Sequence, residues 1–141
     1  RGGVAVMLLD IDHFKRVNDR LGHATGDRVL HMVARRLQNT LCEDAILARI
    51  GGEEFLVALR ACDQAAALAA AEELRRAIAT QPFGLGGAEQ ALDITLSVGI
   101  ALSQPGSAET VQSLLDRADA ALYGAKALGR DQVTLSTISA A

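Results

Sequence analysis

The sequence predicts an α+β fold, a central and mostly antiparallel sheet surrounded by helices. Three observations carry that expectation. The run Val4-Ala5-Val6-Met7-Leu8-Leu9 is continuously apolar, as expected of a strand covered on both faces. Two strand-like runs, residues 45–50 and 55–59, flank a Gly51-Gly52 pair that suits a hairpin turn. Strands and helices otherwise alternate without a linker, but the hairpin interrupts the even strand-helix-strand rhythm of a wound parallel sheet.

The elements follow in order. After the first strand, Asp12 is suited to cap a short helix reaching about Leu21, and the segment Gly22-His23-Ala24-Thr25-Gly26-Asp27 breaks it. A longer helix follows, in which Leu30, Val33, Ala34, Leu37 and Leu41 keep helical spacing and pack on one face of the sheet. Beyond the hairpin, Asp63 caps an Ala-rich helix through about Ala79, with Leu68, Leu74 and Ile78 among its apolar residues. Its alanine run, residues 65–71, reads as ordinary helix filler. Residues 83–87 read as a loop. Residues 92–102 read as a strand in which Ile94, Leu96, Val98 and Ile100 alternate with Thr95, Ser97 and Gly99. A helix over 110–128 stops at Gly129, a glycine suited to a C-cap, and residues 133–135 form a last strand.

Composition narrows the classes of function. With 141 residues, 50% of them hydrophobic and 22% charged, residues 1–141 suffice for one globular domain with a sizeable core. A net charge of −3, 3% aromatic residues and no basic run argue against a nucleic-acid-binding surface. Cys42 and Cys62 have neither CxxC spacing nor the count of a disulfide framework, which favours reduced thiols and a cytoplasmic setting. No apolar run approaches the roughly 18 residues of a membrane span, and no signal-peptide pattern is present. The start at Arg1-Gly2-Gly3, directly before a buried strand, suggests a domain excised from a longer multidomain protein, whose own attachment to a membrane is left open.

Two segments carry the chemistry. Asp10-Ile11-Asp12-His13-Phe14-Lys15 and Gly51-Gly52-Glu53-Glu54-Phe55 each put carboxylates where a buried strand gives way to a turn. If their strands are neighbours, Asp10 and Glu53 converge at one edge of the sheet. Such hard oxygen ligands suit Mg²⁺, which takes one or two protein carboxylates and completes its octahedron with water and substrate phosphates. Taken singly, Asp10 also reads as a strand-end turn residue and Glu53 as a hairpin-tip charge. Asp12 reads better as a helix cap than as a metal ligand. His13, His23 and His31 lack a metal-ligand spacing and read as structural.

The order and spacing of several motifs resemble the GGDEF domain, the catalytic module of diguanylate cyclases, in its GGEEF variant. They are Asp10-x-Asp12-x-Phe14-Lys15, Asn18-Asp19, Gly22-His23, Gly26-Asp27, Arg49-x-Gly51-Gly52-Glu53-Glu54-Phe55, Thr95-x-Ser97-x-Gly99, and Ala118-Asp119-x-Ala121-Leu122-Tyr123-x-Ala125-Lys126-x-x-Gly129-Arg130. The resemblance runs from about Val4 to Leu135. It implies a fold related to the nucleotidyl cyclases and the polymerase palm, and the conversion of two GTP into cyclic di-GMP and two pyrophosphates. It also implies that two such domains face each other, each presenting one GTP, below an upstream sensory or regulatory module.

Carried over residue by residue, the resemblance implies Mg²⁺, with Mn²⁺ an alternative, on Asp10, the Ile11 carbonyl and Glu53. Glu53 is also the catalytic residue that helps deprotonate the attacking 3′-hydroxyl. Glu54 is a further candidate for the metal or for hydrogen bonds around it, and equally a solvated turn charge. Asn18 and Asp27 match the guanine-reading positions, since a carboxylate accepts from guanine N1–H and its exocyclic amine and meets only an acceptor at adenine N1. Asn18 also suits the last turn of a short helix, and Asp27 the positive end of the next one. The Phe14 and Lys15 backbone N–H groups, the Lys15 side chain, Lys126 and Arg130 match phosphate contacts. Lys126 and Arg130 would suit a helix C-terminus without any ligand. Gly51 and Gly52 would let the backbone turn sharply and a nucleotide approach closely.

Two departures from the family pattern matter. The Arg-x-x-Asp product-inhibition motif of many members falls on Cys42-Glu43-Asp44-Ala45, so Cys42 and Ala45 stand where its Arg and Asp would be. The family's amino-terminal Asp-x-Leu-Thr-Gly-Leu-type segment is not in the sequence. Two competing readings are a noncatalytic GTP-binding regulatory domain, as attached to some cyclic di-GMP phosphodiesterases, and a cyclase with an adenine-containing or mononucleotide product. Asp27 disfavours the second.

Overall fold

Alternating apolar side chains let one strand serve two cores, and this organises the molecule. The structure, a computed structural model, describes residues 3–85 and 91–136. Its central strand β1 (Gly3–Ile11) is followed by α1 (Phe14–Leu21), α2 (His23–Thr40), β2 (Ile46–Arg49), β3 (Glu54–Cys62) and α3 (Gln64–Ala79). Then come β4 (Phe83–Gly84), β5 (Ala91–Leu92), β6 (Leu96–Leu102), α4 (Val111–Ala127) and β7 (Val133–Leu135). The main sheet has the order β2-β3-β1-β6-β7. Its pairings are antiparallel except β6 with β7, in keeping with the mostly antiparallel sheet expected.

Met7, Leu9 and Ile11 point from β1 into a core with Val29, Val33 and Leu37 of α2 and Ala71, Leu74 and Ile78 of α3. Val6 and Leu8 point the other way, onto Leu114, Ala118 and Leu122 of α4. Period-two alternation on the strand and a spacing of four on the helix produce this two-sided packing. Asp63 caps α3 as expected, accepting from Ala66 N at 2.8 Å. The alanines of α3 are more than filler, because Ala67 and Ala71 are fully buried and let the helix close on the sheet.

Several boundaries differ from the sequence expectation. Gly22 alone separates α1 from α2: with φ of 91° it breaks the first helix, and the second starts at His23 rather than after Asp27. Phe83 and Gly84 are a short strand, paired with Leu92 and Ala91, not loop; residues 86 and 87 of that stretch lie outside the described residues. The strand expected over 92–102 is therefore split, and the main sheet receives only Leu96–Leu102. Among the described residues no helix is long and apolar enough to cross a membrane.

Candidate active site

Register brings the carboxylates together. Asp10 lies opposite Glu54 on β3 and opposite Ser97 on β6. It follows Val6 and Leu8 on the side of β1 that faces α4. On α4, residues 114, 118 and 122 form the buried stripe, and the next position in that series of four is Lys126. Lys126 Nζ accordingly donates to Asp10 Oδ2, in an ion pair whose carboxylate is almost wholly buried. Glu53 sits in the turn before β3, and its carbonyl accepts from Ile11 N at 3.2 Å.

The electrostatics are strained in one direction. Burial first, then the charge of Asp10 and a hydrogen bond with it, raise the Glu53 carboxyl above the usual range, while Lys126 pulls it back. Glu54 is raised as well, by burial and then by Asp10, again against Lys126. Three carboxyl groups thus share one ammonium. Among the described residues no three His, Cys, Asp or Glu side chains form a ready-made metal shell. The Asp10 and Glu53 pair nevertheless meets the demand of Mg²⁺, which needs one or two protein carboxylates when phosphates supply the rest.

Asp12 does not cap α1. His13 occupies the N-cap with a left-handed backbone, φ 57°, and no side chain caps the helix. The Asp12 carboxylate instead accepts from Ser97 Oγ at 2.6 Å, Thr95 Oγ1 at 2.6 Å and Asp131 N at 3.0 Å. It knots the end of β1 to the start of β6 and to the turn after α4. A buried carboxylate needs such donors, and the Thr95-x-Ser97 spacing supplies two from one face of a strand. The sequence reading missed this role because the three donors lie far from Asp12 in the chain.

The guanine-reading candidates lie on either side of the α1–α2 break. Gly22 N donates to Asn18 O at 2.8 Å, and a Cβ built on Gly26 would sit 1.8 Å from Asn18 Oδ1. Asn18 is half-buried against Gly26, next to which Asp27 is exposed. His31 Nδ1 donates to the Asp27 carbonyl at 2.8 Å, which gives that histidine a structural partner. Phe14 is buried at the start of α1, Lys15 is exposed beside it, and Arg130 is exposed just past α4. Gly51 and Gly52 differ from expectation: the glycines with positive φ among the described residues are Gly22, Gly106 and Gly129, so this turn does not demand glycine conformation. A Cβ on Gly52 would meet nothing within 4 Å, so the surface there is open to a ligand.

Gly99, the last residue of the Thr95-x-Ser97-x-Gly99 motif, has a packing role that the sequence reading did not assign. A Cβ there would lie 2.2 Å from Leu122 N and 2.4 Å from Ala118 O, so α4 approaches β6 at this glycine. The signal was a lone glycine in an alternating strand. At the far end of β3 from Glu54, a cleft of about 380 Å³ is lined by residues that include Cys42, Asp44, Ala45, Arg60, Cys62 and Glu73. Both thiols are free. Arg75 and Arg76, cations on the nearby α3, are both paired with Glu72.

A family model described as "Diguanylate cyclase, GGDEF domain" matches residues 2–132. Diguanylate cyclase DgcP of Pseudomonas aeruginosa is 43% identical over 135 residues, 96% of this chain and 20% of that protein. The crystal structure of the GGDEF domain of YfiN (TpbB) from Pseudomonas aeruginosa superposes with a TM-score of 0.90 at 38% identity, covering 99% of this chain and 85% of that one. The GGDEF domain of DgcB from Caulobacter crescentus, solved in complex with c-di-GMP, gives 0.86 at 37% identity, over 94% of this chain and 77% of that one. The chain spans only a fifth of the length of DgcP, and 35% and 28% of Diguanylate cyclase A of Treponema denticola and PleD of Caulobacter vibrioides.

Proposed function

Since the chain belongs to the GGDEF family of diguanylate cyclase domains, we propose that it condenses two GTP into cyclic di-GMP and two pyrophosphates. One observation carries the reading: strand register sets Asp10 opposite Glu54 and so beside Glu53 at the end of β1, where the Asp10 charge raises the Glu53 carboxyl and Lys126 pairs with Asp10. A structural pair would be expected to balance its charges, whereas this one leaves an excess of negative charge that a divalent cation would neutralise.

Asp10, Glu53 and the Ile11 carbonyl would hold Mg²⁺ or Mn²⁺, with Glu54 adjoining. When bound, the ion would supply Lewis-acid chemistry, polarising the α-phosphate and favouring the 3′-alkoxide. The protein residues do the rest. Glu53 receives the proton of the attacking 3′-hydroxyl, while Lys126, Arg130, Lys15 and the N–H groups of Phe14 and Lys15 bind the triphosphate. Asn18 and Asp27 select guanine. In each half-reaction an O3′–Pα bond forms as the bond from Pα to the bridging oxygen breaks, and pyrophosphate leaves. Each domain reads one guanine, so the cyclic product requires a second GGDEF domain in a homodimer. An upstream sensory or regulatory module would bring the two together, an arrangement supported by the greater length of the relatives. A cytoplasmic setting is part of this reading, in keeping with two cysteines whose number and spacing suit no disulfide framework.

Mass spectrometry of nucleotides made by an enforced dimer supplied with GTP, ATP and Mg²⁺ tests the reading. Cyclic di-GMP is the expected product. GTP binding without turnover would instead assign a noncatalytic regulatory domain, and an adenine-containing product would overturn the role of Asp27.

A further inference from the structure

The segment that carries Arg130 is held in an unfavourable backbone conformation from two sides. Arg130 and Asp131 have φ of 65° and 50°, left-handed values that residues with a Cβ adopt only when their surroundings impose them. Arg130 N donates to Ala125 O at 3.0 Å, which ties the turn back to α4. Asp131 is fixed twice over: its N–H donates to Asp12 Oδ2 at 3.0 Å, and its carboxylate accepts from Arg75 Nη1 at 2.7 Å. Arg75 comes from α3, 56 residues earlier, and its side chain is 19% exposed. Its guanidinium is already oriented, because Nε and Nη2 donate to the two oxygens of Glu72 at 3.0 and 2.6 Å. One planar fork therefore binds Glu72 with two nitrogens and presents the third to Asp131.

We propose that Arg75 and Asp131 are positioning residues that hold the Arg130 turn in the conformation that meets substrate phosphates. The proposal rests on the assignment of Arg130 to the triphosphate made above. Ordering this turn on binding would cost backbone freedom, and holding it in place beforehand removes that cost. A purely structural tie between α3 and the turn would support the fold but would not act selectively on phosphate.

The test is isothermal titration of the 141-residue chain with α,β-methylene-GTP and Mg²⁺, and separately with guanosine, which has no phosphate. The variants are Arg75→Ala, Asp131→Asn, Arg130→Ala and the Arg75→Ala/Arg130→Ala double. Arg75→Ala and Asp131→Asn are each expected to weaken the triphosphate analogue roughly tenfold, leave guanosine unchanged, and add nothing to Arg130→Ala in the double variant. Asp131→Asn keeps the side-chain shape and carries the test alone if Arg75→Ala does not fold. Wild-type affinity in both single variants, an equal loss for guanosine, or additivity with Arg130→Ala would overturn the positioning role while leaving the Arg130 assignment intact. Wild-type affinity in Arg130→Ala would overturn that assignment, and the positioning role with it.

Discussion

Lys126 donates to Asp10 across 116 residues of sequence, joining the last turn of α4 to the end of the central strand. The two residues carry different duties in the proposed reaction, one toward phosphate and one toward metal, yet in the structure they neutralise each other. The pairing follows from packing, since Lys126 continues the buried stripe of α4 just where β1 ends in a carboxylate. Charge balance here is therefore shared among Asp10, Glu53, Glu54 and one ammonium.

Lys126→Met leaves the buried Asp10 carboxylate without its cation. The expected loss of stability is about 1–3 kcal/mol, measured by urea unfolding in EDTA, because an ionised group deprived of its partner bears its own desolvation cost. Mg²⁺ should restore more stability to this variant than to the wild type. An equal gain in both proteins would mean that the cation does not bind near Asp10.

Glu53→Gln should stabilise the folded chain at neutral pH. Burial and Asp10 raise the folded Glu53 carboxyl above its ordinary 4.5. Its favourable contribution is thus fully present below about 4.5 and lost as pH rises through the folded value. At pH values above that, the ionised group opposes folding, and the amide removes the penalty. Solvent screening of this partly exposed group limits the gain to roughly 1 kcal/mol or less, a few degrees in Tm. Thermal unfolding in EDTA from acid to neutral pH checks it; an unchanged or lower Tm for Glu53→Gln at neutral pH would contradict the electrostatic account.

Gly99→Ala should destabilise by about 1–3 kcal/mol, since its Cβ meets backbone atoms of Leu122 and Ala118 that cannot rotate aside. The same displacement of α4 would draw Lys126 from Asp10. Urea midpoints report the first effect, and a fall in turnover larger than the unfolded fraction explains reports the second. A neutral substitution would show that α4 does not pack this closely.

Cyclic di-GMP should not bind tightly at the cleft beside Cys42 and Ala45. Arg60 is the cation among the residues lining it, set against Asp44 and Glu73, and the nearby Arg75 and Arg76 are engaged by Glu72. Each missing charge-assisted hydrogen bond is worth about 1.5–3 kcal/mol. Isothermal titration that found submicromolar binding, abolished by changes at residues 42–45, would reverse this expectation.

Much of this architecture was legible because local pattern and tertiary demand agree. The apolar run before Asp10 became the central strand, the Gly51-Gly52 pair marked the hairpin, and Asp63 caps its helix by accepting from Ala66 N. The convergence of Asp10 and Glu53 followed from adjacent strands. What was not legible depends on distant partners. Asp12 has the local signature of a cap, but Thr95, Ser97 and Asp131 claim both its oxygens. No local pattern joins Arg75 to Asp131, and only the fold brings the two together. The strand expected from Leu92 was split because Leu92 pairs with Phe83, and nothing in its local alternation distinguishes the two sheets.

The central claim is that Asp10 and Glu53 form the metal-dependent centre that turns GTP into cyclic di-GMP. Its most direct measurement is the initial rate of cyclic di-GMP formation by an enforced dimer with GTP and Mg²⁺, comparing wild type with Asp10→Asn and Glu53→Gln, each verified as folded by circular dichroism. The account predicts product from the wild type and a loss of at least about a hundredfold in both variants, as expected when an electrostatic element of phosphoryl transfer is removed. Near-wild-type rates in either folded variant would contradict it.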